Sequence, residues 1–371
     1  MTYFDHSATT PVHPDVLDLM HSIQKDVYGN PSSLHSQGRQ AKSIIEKARK
    51  QVANSIGAGS NQVIFTSGGT EANNQVFWSL LSQDKKHVVS DTIEHPAILK
   101  TLTQLATLGI DHDLVTVSEK GRVSIPGVES AIQENTRLIS IMLANNEVGT
   151  IQPVKEITEL AHEKNILVHT DAVQCLGKMS IDVNDLGVDF LSLSAHKFYG
   201  PKGIGILYFK NRESLSSLMM GGGQERGLRA GTENIASIAG MGLAAELAAT
   251  RLDHHIEELE SFEAQFRSGL LSYFPNAIFN GDADNKLPGL VNVSFLGHRS
   301  DILLAKLDRA NMAVSSGSAC GAGDVKPSGV LSEMGVDDKT NISTLRFSFG
   351  ASNTTGQLDL LLSELKTILT D

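Results

Sequence analysis

The chain has 371 residues and a formal net charge of -11 at pH 7, which is enough length for a large domain and a smaller one. The acidic balance argues against nucleic-acid and anionic-membrane partners, since both select basic surfaces, and no run approaches the roughly 20 apolar residues of a membrane span. The N-terminus lacks the basic and apolar segments of a signal peptide, and Cys175 and Cys320 are too few for a disulfide framework. We therefore expect a cytoplasmic protein.

Short β-rich runs alternate with amphipathic helical patterns in the first two thirds of the chain. The predicted strands are residues 63–66, 87–90, 114–117, 138–143, 166–170, 190–193 and 204–209. This alternation predicts an α/β fold with a seven-stranded, mostly parallel sheet covered by helices on both faces. Polar clusters (SGGTE, NNE, DAVQ and SAHK) follow several of these strands. Ligands of such sheets bind beyond the carboxyl ends of the strands, so the clusters predict one shared site.

The pattern changes after a long helical region over residues 233–273. Strands are predicted at 292–295, 313–315 and 345–349, and helices at 300–309 and 354–369. We interpret this part as a smaller α+β domain. The predicted division is a large domain over residues 14–255 and a small domain formed by residues 1–13 and 256–371, which carries Cys320.

The segment Ser67-Gly68-Gly69-Thr70 lies between the predicted strand 63–66 and a helix that starts near Glu71. Glycines at this position let backbone N–H groups approach an anion, and the helix N-terminus favours negative charge. The alternative is a plain strand-to-helix turn in which Thr70 caps the helix. The segment alone leaves both interpretations open.

Asp171 and Lys197 each follow an apolar run. A carboxylate at the end of a buried strand needs a cation or several donors, unless it only caps the next helix. A lysine directly after a buried strand can have a lowered pKa and become nucleophilic, although most lysines are solvated. Together they match the needs of pyridoxal-phosphate (PLP) enzymes, which use a lysine for a Schiff base and a carboxylate on the pyridinium nitrogen. At about 4 Å and an effective dielectric near 20, that ion pair is worth about 4 kcal/mol.

The chain resembles the cysteine desulfurases, members of the class V aminotransferase family of fold-type-I PLP enzymes. The resemblance rests on nine motifs in family order from residue 3 to residue 350: YFDHSATTPV, FTSGGTEANN, EHPA, ANNEVG, HTDAVQ, SAHKFYGPKGIG, RAGTEN, SSGSAC and LRFSFG. It implies removal of sulfur from L-cysteine to give L-alanine and a persulfide on Cys320. It also implies a homodimer.

The resemblance assigns further roles to matching positions. Lys197 would form the Schiff base, Asp171 would pair with the ring nitrogen, and Gln174 would bond the ring hydroxyl. His95 would stack on the ring and assist proton transfer, where a capping histidine before Pro96 is the alternative. The phosphate would be held by Gly69, Thr70, Ser194 and His196, and by Thr232 of the neighbouring subunit. Asn146 would touch cofactor and substrate, and Arg346 would clamp the substrate carboxylate unless it forms a surface ion pair.

Cys320 lies in SSGSACGAGD, a stretch of small residues without apolar periodicity, which predicts a loop. On a loop its thiolate would attack the sulfur of cysteine and then carry that sulfur to an acceptor. An isolated cysteine is otherwise a small buried hydrophobe, which is our expectation for Cys175. No metal site is predicted.

Other functions stay open at this stage. A selenocysteine lyase, another aminotransferase or a β-lyase would make Cys320 incidental, and a non-catalytic sulfur-relay protein would need no cofactor. The sulfur acceptor is not identified by the sequence, and both iron–sulfur cluster assembly and a thiolation pathway fit.

Overall fold

The computed structural model describes residues 1–316 and 326–370. Its strands, in chain order, are β1 (Thr2–Tyr3), β2 (Val63–Thr66), β3 (His87–Asp91), β4 (Asp111–Val115), β5 (Thr136–Ser140), β6 (Leu167–Asp171), β7 (Phe190–Ser194), β8 (Gly205–Phe209), β9 (Ile278–Asn280), β10 (Leu290–Ser294), β11 (Met312–Ala313) and β12 (Thr344–Ser348). Its α-helices are α1 (Pro14–Asp26), α2 (Ser36–Ser55), α3 (Gly69–Trp78), α4 (Pro96–Ala106), α5 (Ile125–Ala131), α6 (Val154–Glu163), α7 (Val183–Leu186), α8 (Ile235–Thr250), α9 (Leu252–Tyr273), α10 (Ser300–Arg309), α11 (Gly329–Glu333), α12 (Asp338–Asn341) and α13 (Thr355–Thr370).

The largest sheet has seven strands in the order β2-β8-β7-β6-β5-β3-β4. Neighbouring strands are parallel except at β8, which is antiparallel to both β2 and β7. Because β8 reverses between them, β2 and β7 point the same way and their carboxyl ends reach the same edge of the sheet. The predicted α/β class and mostly parallel seven-stranded sheet are confirmed.

Two predicted strands are displaced along the chain. β4 begins at Asp111, three residues before the predicted start, because it is an edge strand whose first residues are polar and mostly exposed. β5 ends at Ser140, although the apolar run continues to Leu143. Ile141, Met142 and Leu143 follow the strand and are buried, so the apolar run correctly indicated burial but not the end of the strand.

The long helical region is two helices, α8 and α9, bent by 73° at their junction. Across residues 1–316 and 326–370, no single helix is long and apolar enough to span a membrane. Taken together, α8 and α9 have the required length and composition despite the bend.

The apolar core falls into separate clusters. The largest contains residues from α2, the central strands of the large sheet and α8. A second contains Phe4 together with residues of α9, β10, β12 and α13. A three-stranded antiparallel sheet of β12, β10 and β9 supports this second cluster, and β1 pairs in parallel with β11. The N-terminal segment thus packs with the C-terminal part of the chain, while the domain boundaries at residues 13 and 255 stay a prediction.

Candidate active site

A cavity of about 750 Å³ lies at the carboxyl-terminal edge of the large sheet. The sequence-predicted residues in its lining are Gly69, Thr70, His95, Asn146, Asp171, Gln174, Ser194, His196, Lys197 and Arg346. They come from the last residues of β6 and β7, from the segments that follow β2, β3, β5, β6 and β7, and from β12. The fold therefore collects in one place side chains that are up to 277 positions apart, from Gly69 to Arg346.

The SGGT segment forms the N-terminal end of α3. Gly68 is the cap residue, and no side chain caps the helix, so the first backbone N–H groups have no partner inside it. A Cβ on Gly69 would lie 2.6 Å from Cγ2 of Val173, so only glycine fits there. The uncapped helix end opens on the cavity and suits an anion such as a phosphate. The alternative in which Thr70 is the cap is wrong, because Thr70 lies inside the helix.

Asp171 is the last residue of β6 and is 8% exposed. One carboxylate oxygen accepts from Asn73 Nδ2 at 2.6 Å, and the other accepts from the backbone N–H of Val173 at 2.9 Å. These two donors fix the orientation of the carboxylate at the cavity wall. The described residues place no cation within ion-pairing distance of it, which leaves the carboxylate available to a cationic ligand group.

Lys197 follows β7 and a single 3₁₀ turn. Its ammonium donates to the backbone oxygens of Ser7 at 2.6 Å and Ala8 at 2.8 Å. Burial, together with the positive charges of Lys178 and Arg346, lowers the pKa of Lys197 to about 7, against the opposing effect of the Asp171 and Asp5 carboxylates. A large share of the amine is therefore uncharged near neutral pH, which is the form that attacks a carbonyl.

Three other predicted residues lie around this pair. His95 caps α4, where its Nδ1 accepts from the backbone N–H of Ala97 at 3.1 Å, and burial lowers its pKa, so Nε2 carries the proton of the neutral ring. The Nδ1 of His196 lies 3.1 Å from the hydroxyl of Thr9, and burial lowers its pKa to about 4. Gln174 donates to the Ser7 carbonyl at 3.0 Å.

Arg346 is 4% exposed, so the surface ion pair considered for it is wrong. One Nη donates to the carbonyl of Asn146 at 2.9 Å and the other donates to the carboxylate of Asp5 at 2.7 Å. Its Nε is buried and has no partner within residues 1–316 and 326–370. A guanidinium with a free buried donor beside the cavity is suited to a carboxylate ligand.

Two predicted site residues do not line this cavity. Thr232 is exposed and borders a separate cavity of about 480 Å³ with residues 23–31 and 233–236. Its loop is tied to the main site by an ion pair between Arg229 and Glu71, in which Arg229 Nε donates at 2.9 Å. Cys320 lies outside the described residues. Cys175 is fully buried and its pKa is raised strongly by burial, which confirms the expectation that it is a core residue.

Several residues of the site were not predicted. Asn73, which holds Asp171, follows Thr70 by three positions, and this helical spacing places both on one face of α3. Asp5, Ser7 and Ala8 reach the site from the N-terminal segment, where no local pattern signals a partner near residue 197 or 346. Among the residues that the structure describes, no group of three or more His, Cys, Asp and Glu side chains could hold a metal ion.

The chain belongs to the class V aminotransferase family, whose pattern matches residues 2–361. It is similar to a cysteine desulfurase IscS of Clostridium botulinum, with 43% identity over 99% of this chain and 94% of that one. It is also similar to the cysteine desulfurase NifS of Azotobacter vinelandii, with 37% identity over 99% of this chain and 92% of the relative. Both relatives are named cysteine desulfurases, and each matches this chain over nearly its whole length.

Solved structures agree with the sequence relatives. A NifS-like protein superposes with a TM-score of 0.93 and 37% identity, covering 100% of this chain and 99% of that one. SspA, solved in complex with cysteine, superposes with a TM-score of 0.84 and 36% identity over 95% of this chain and 100% of that one.

Proposed function

We propose that this chain is a PLP-dependent cysteine desulfurase, which converts L-cysteine to L-alanine and leaves the sulfur as a persulfide on Cys320. The observation that carries the proposal is the convergence of the Lys197 amine, the Asp171 carboxylate and the uncapped end of α3 in one cavity. An amine, a carboxylate and an anion cradle are the groups that hold PLP. The similarity to cysteine desulfurases supplies the substrate.

The residues fit the cofactor on observations that do not depend on similarity. Within the described residues no side chain caps α3, so the backbone N–H groups of Gly69 and Thr70 can bind the phosphate. A side chain at Gly69 would collide with Val173, which explains the glycine at this position. Lys197 would hold the carbonyl carbon as a Schiff base, Asp171 would face the ring nitrogen, and Gln174 the ring hydroxyl. His95, Ser194 and His196 would complete the contacts. When bound, the cofactor supplies an electron sink that accepts the pair left on carbon when a substrate proton is removed.

Asn73 and the Val173 N–H bind the two oxygens of Asp171 and would hold its carboxylate in place to face the ring nitrogen. The free Lys197 amine would be a base of suitable strength to take the α-proton, since its pKa is lowered to about 7. His95 in its neutral form can donate from Nε2. Arg346 and Asn146 would orient the substrate carboxylate, with the unpartnered Nε of Arg346 as one donor.

Sulfur transfer requires a thiolate. The Cys320 sulfur forms an S–S bond with the sulfur of cysteine while the Cβ–S bond breaks, and the electron pair of the broken bond stays on carbon, which takes a proton to give alanine. Ser315 lines the cavity and lies five residues before Cys320.

The homodimer is part of the proposal. Thr232 does not line the cavity of its own chain, and its exposed loop is held in place by the pair of Arg229 and Glu71. In a dimer Thr232 would reach the phosphate in the neighbouring subunit. Analytical ultracentrifugation should give twice the chain mass, and Thr232→Ala should weaken PLP binding without changing the absorption of the bound cofactor.

Persulfide mapping tests the proposed reaction. After brief exposure to L-cysteine, mass spectrometry should find one added sulfur on the peptide that contains Cys320, and with a reductant alanine and sulfide should form in equal amounts. Cys320→Ala should keep the yellow cofactor and lose sulfide release. Cys175→Ala is the matched control, because this thiol is buried and should carry no added sulfur.

Three outcomes would overturn the proposal. Full turnover of Cys320→Ala would indicate a selenocysteine-lyase-like route in which the thiol is dispensable. Pyruvate from cysteine would indicate a β-lyase, and glutamate formation with a keto acid would indicate an aminotransferase. The sulfur acceptor and the cytoplasmic location stay predictions; iron–sulfur assembly is the pathway that the relatives' names favour.

A further inference from the structure

A second cavity of about 270 Å³ adjoins the active site. Lys197 is the one residue that lines both cavities within the described part of the chain. The walls of the second cavity come from the loop after β6, from the C-terminal half of α8 and from the first turns of α9. Apart from Lys197, the proposed reaction uses none of the residues that line this cavity.

The lining of this cavity is rich in cations. Lys178, Arg251, His13, His254 and His255 face it, with Glu258 as the one acidic residue among the described lining. Glu258 lies 3.6 Å from His254 and 3.8 Å from His255, so its charge is shared with these two imidazoles. Arg251 and Lys178 thus face a cavity whose described lining holds one carboxylate.

Lys178 is the residue that points to a ligand. It is 7% exposed, and its closest acceptor is Oε1 of Gln174 at 3.4 Å. No carboxylate of residues 1–316 or 326–370 pairs with it within 4.0 Å. A buried ammonium without a counter-ion is unfavourable by several kcal/mol. Burial lowers its pKa to about 8, so the ammonium is still the major form at pH 7.

Arg251 gives the cavity a second cation at its rim. It is exposed, lies at the junction of α8 and α9, and has no ion pair with any carboxylate of the described residues.

We propose that the second cavity binds a small oxyanion, the size of sulfate or of a short carboxylate, between Lys178 and Arg251. A planar guanidinium suits a carboxylate or a sulfate as a bidentate donor, and the buried ammonium supplies a point charge.

The position of this site relates it to the active site. Lys178 is one of the two cations that lower the pKa of Lys197. An anion beside Lys178 would offset that charge and favour the protonated form of the Lys197 amine in the chain without cofactor. Anion binding is therefore expected to slow capture of an aldehyde by Lys197.

The test is equilibrium dialysis of the cofactor-loaded protein against radiolabelled sulfate and, separately, acetate, at constant ionic strength in chloride. Loading keeps the end of α3 occupied, so that sulfate there is not counted. We expect one site per chain. The dissociation constant should rise by about tenfold or more in Lys178→Met, because the anion loses one charged hydrogen-bond partner. The two labels distinguish an inorganic oxyanion from a carboxylate as the preferred ligand.

Two further variants keep the test decisive if Lys178→Met is poorly folded. Arg251→Gln is a surface change that should weaken binding while the fold is kept, and Arg309→Gln is the matched control because Arg309 is also exposed and lies outside the cavity. In salt-free buffer Lys178→Met should melt at a higher temperature than the parent, and sulfate should raise the melting temperature of the parent alone. Equal sulfate affinity in the parent, Lys178→Met and Arg251→Gln, or no bound sulfate or acetate in the parent, would overturn the proposal.

Discussion

Two regions of this protein contain buried cationic side chains, and they differ in whether those side chains are paired with carboxylates. Arg49 and Glu225 form a bidentate pair with N–O distances of 2.6 and 2.9 Å. The pair is completed by bonds from Arg49 to the Val63 carbonyl at 3.0 Å and from the Phe65 N–H to Glu225 at 2.9 Å. Beside the active-site cavity Arg346 pairs with Asp5 at 2.7 Å. Lys197 and Lys178 differ, because within residues 1–316 and 326–370 neither has a carboxylate within 4.0 Å, and both bond to carbonyl oxygens. In this protein the paired charges of Arg49 and Glu225 stabilise the fold, whereas the charges of Lys197 and Lys178 are available to ligands.

The paired region has a clear structural task. Glu225 and Arg226 lie in the left-handed region, with φ of 45° and 59°, inside a loop that must be held against the sheet. The pair of Arg49 and Glu225 fastens that loop to β2, directly before the cradle at Gly69. The following stretch of the same loop carries Arg229, which binds Glu71 of α3.

The largest expected effect comes from the unpaired region. Lys197→Ala removes both the Schiff-base amine and the proposed proton acceptor, so desulfuration should fall by at least about 10⁴-fold. Sulfide release from cysteine is the measurement. Lys202→Ala is the matched control, because Lys202 lines the same cavity, and this variant should keep most of its activity. Retained activity in Lys197→Ala would remove the proposed role of this amine.

Substitutions in the pair of Arg49 and Glu225 should change the stability of the protein and not its catalytic chemistry. Glu225→Gln leaves the buried Arg49 charge with only the more exposed Glu46 carboxylate, 3.3 Å from its Nε, so the free energy of unfolding should drop by about 3 kcal/mol. Chemical denaturation measures this, and the double variant Arg49→Met with Glu225→Met should recover a large part of the loss. A Glu225→Gln protein as stable as the parent would show that the pair is not structural.

Asp171→Asn removes the charge that we propose faces the ring nitrogen, while the shape of the side chain is kept. With an ion pair worth about 4 kcal/mol, turnover should fall by about 10³-fold, and the cofactor should stay bound through Lys197. Asn73→Ala should cost about tenfold, since Asp171 would lose one of its two donors. An equal loss in both variants would mean that Asn73 has a role besides orienting Asp171.

The smallest effect is a dependence on pH. Since the pKa of Lys197 is lowered to about 7, the uncharged amine becomes scarce below pH 7 and dominates above it. The rate at which the cofactor-free protein captures PLP should therefore rise about tenfold per pH unit below 7 and level off above it. Stopped-flow absorbance measures this rate. A rate that keeps rising to pH 10 would show an amine with an ordinary pKa.

The sequence indicated that Asp171 and Lys197 lie near one cavity, because each lies at or just after the end of an apolar strand and strand ends meet at one edge of a parallel sheet. It did not predict the contribution of Asp5 and Ser7, since their segment reaches the site only through pairing of the N-terminus with residues 311–313 and 348. The pair of Arg49 and Glu225 was also missed. Its members are 176 positions apart, and neither lies in a pattern that indicates a partner.

The account depends most directly on the bond between the cofactor and Lys197. Borohydride reduction of the PLP-loaded protein, followed by proteolysis and mass spectrometry, should place the reduced cofactor on the peptide that contains Lys197. Lys202→Ala should give the same result at the same position. A cofactor that is released after reduction, or is fixed at another lysine, would contradict the account.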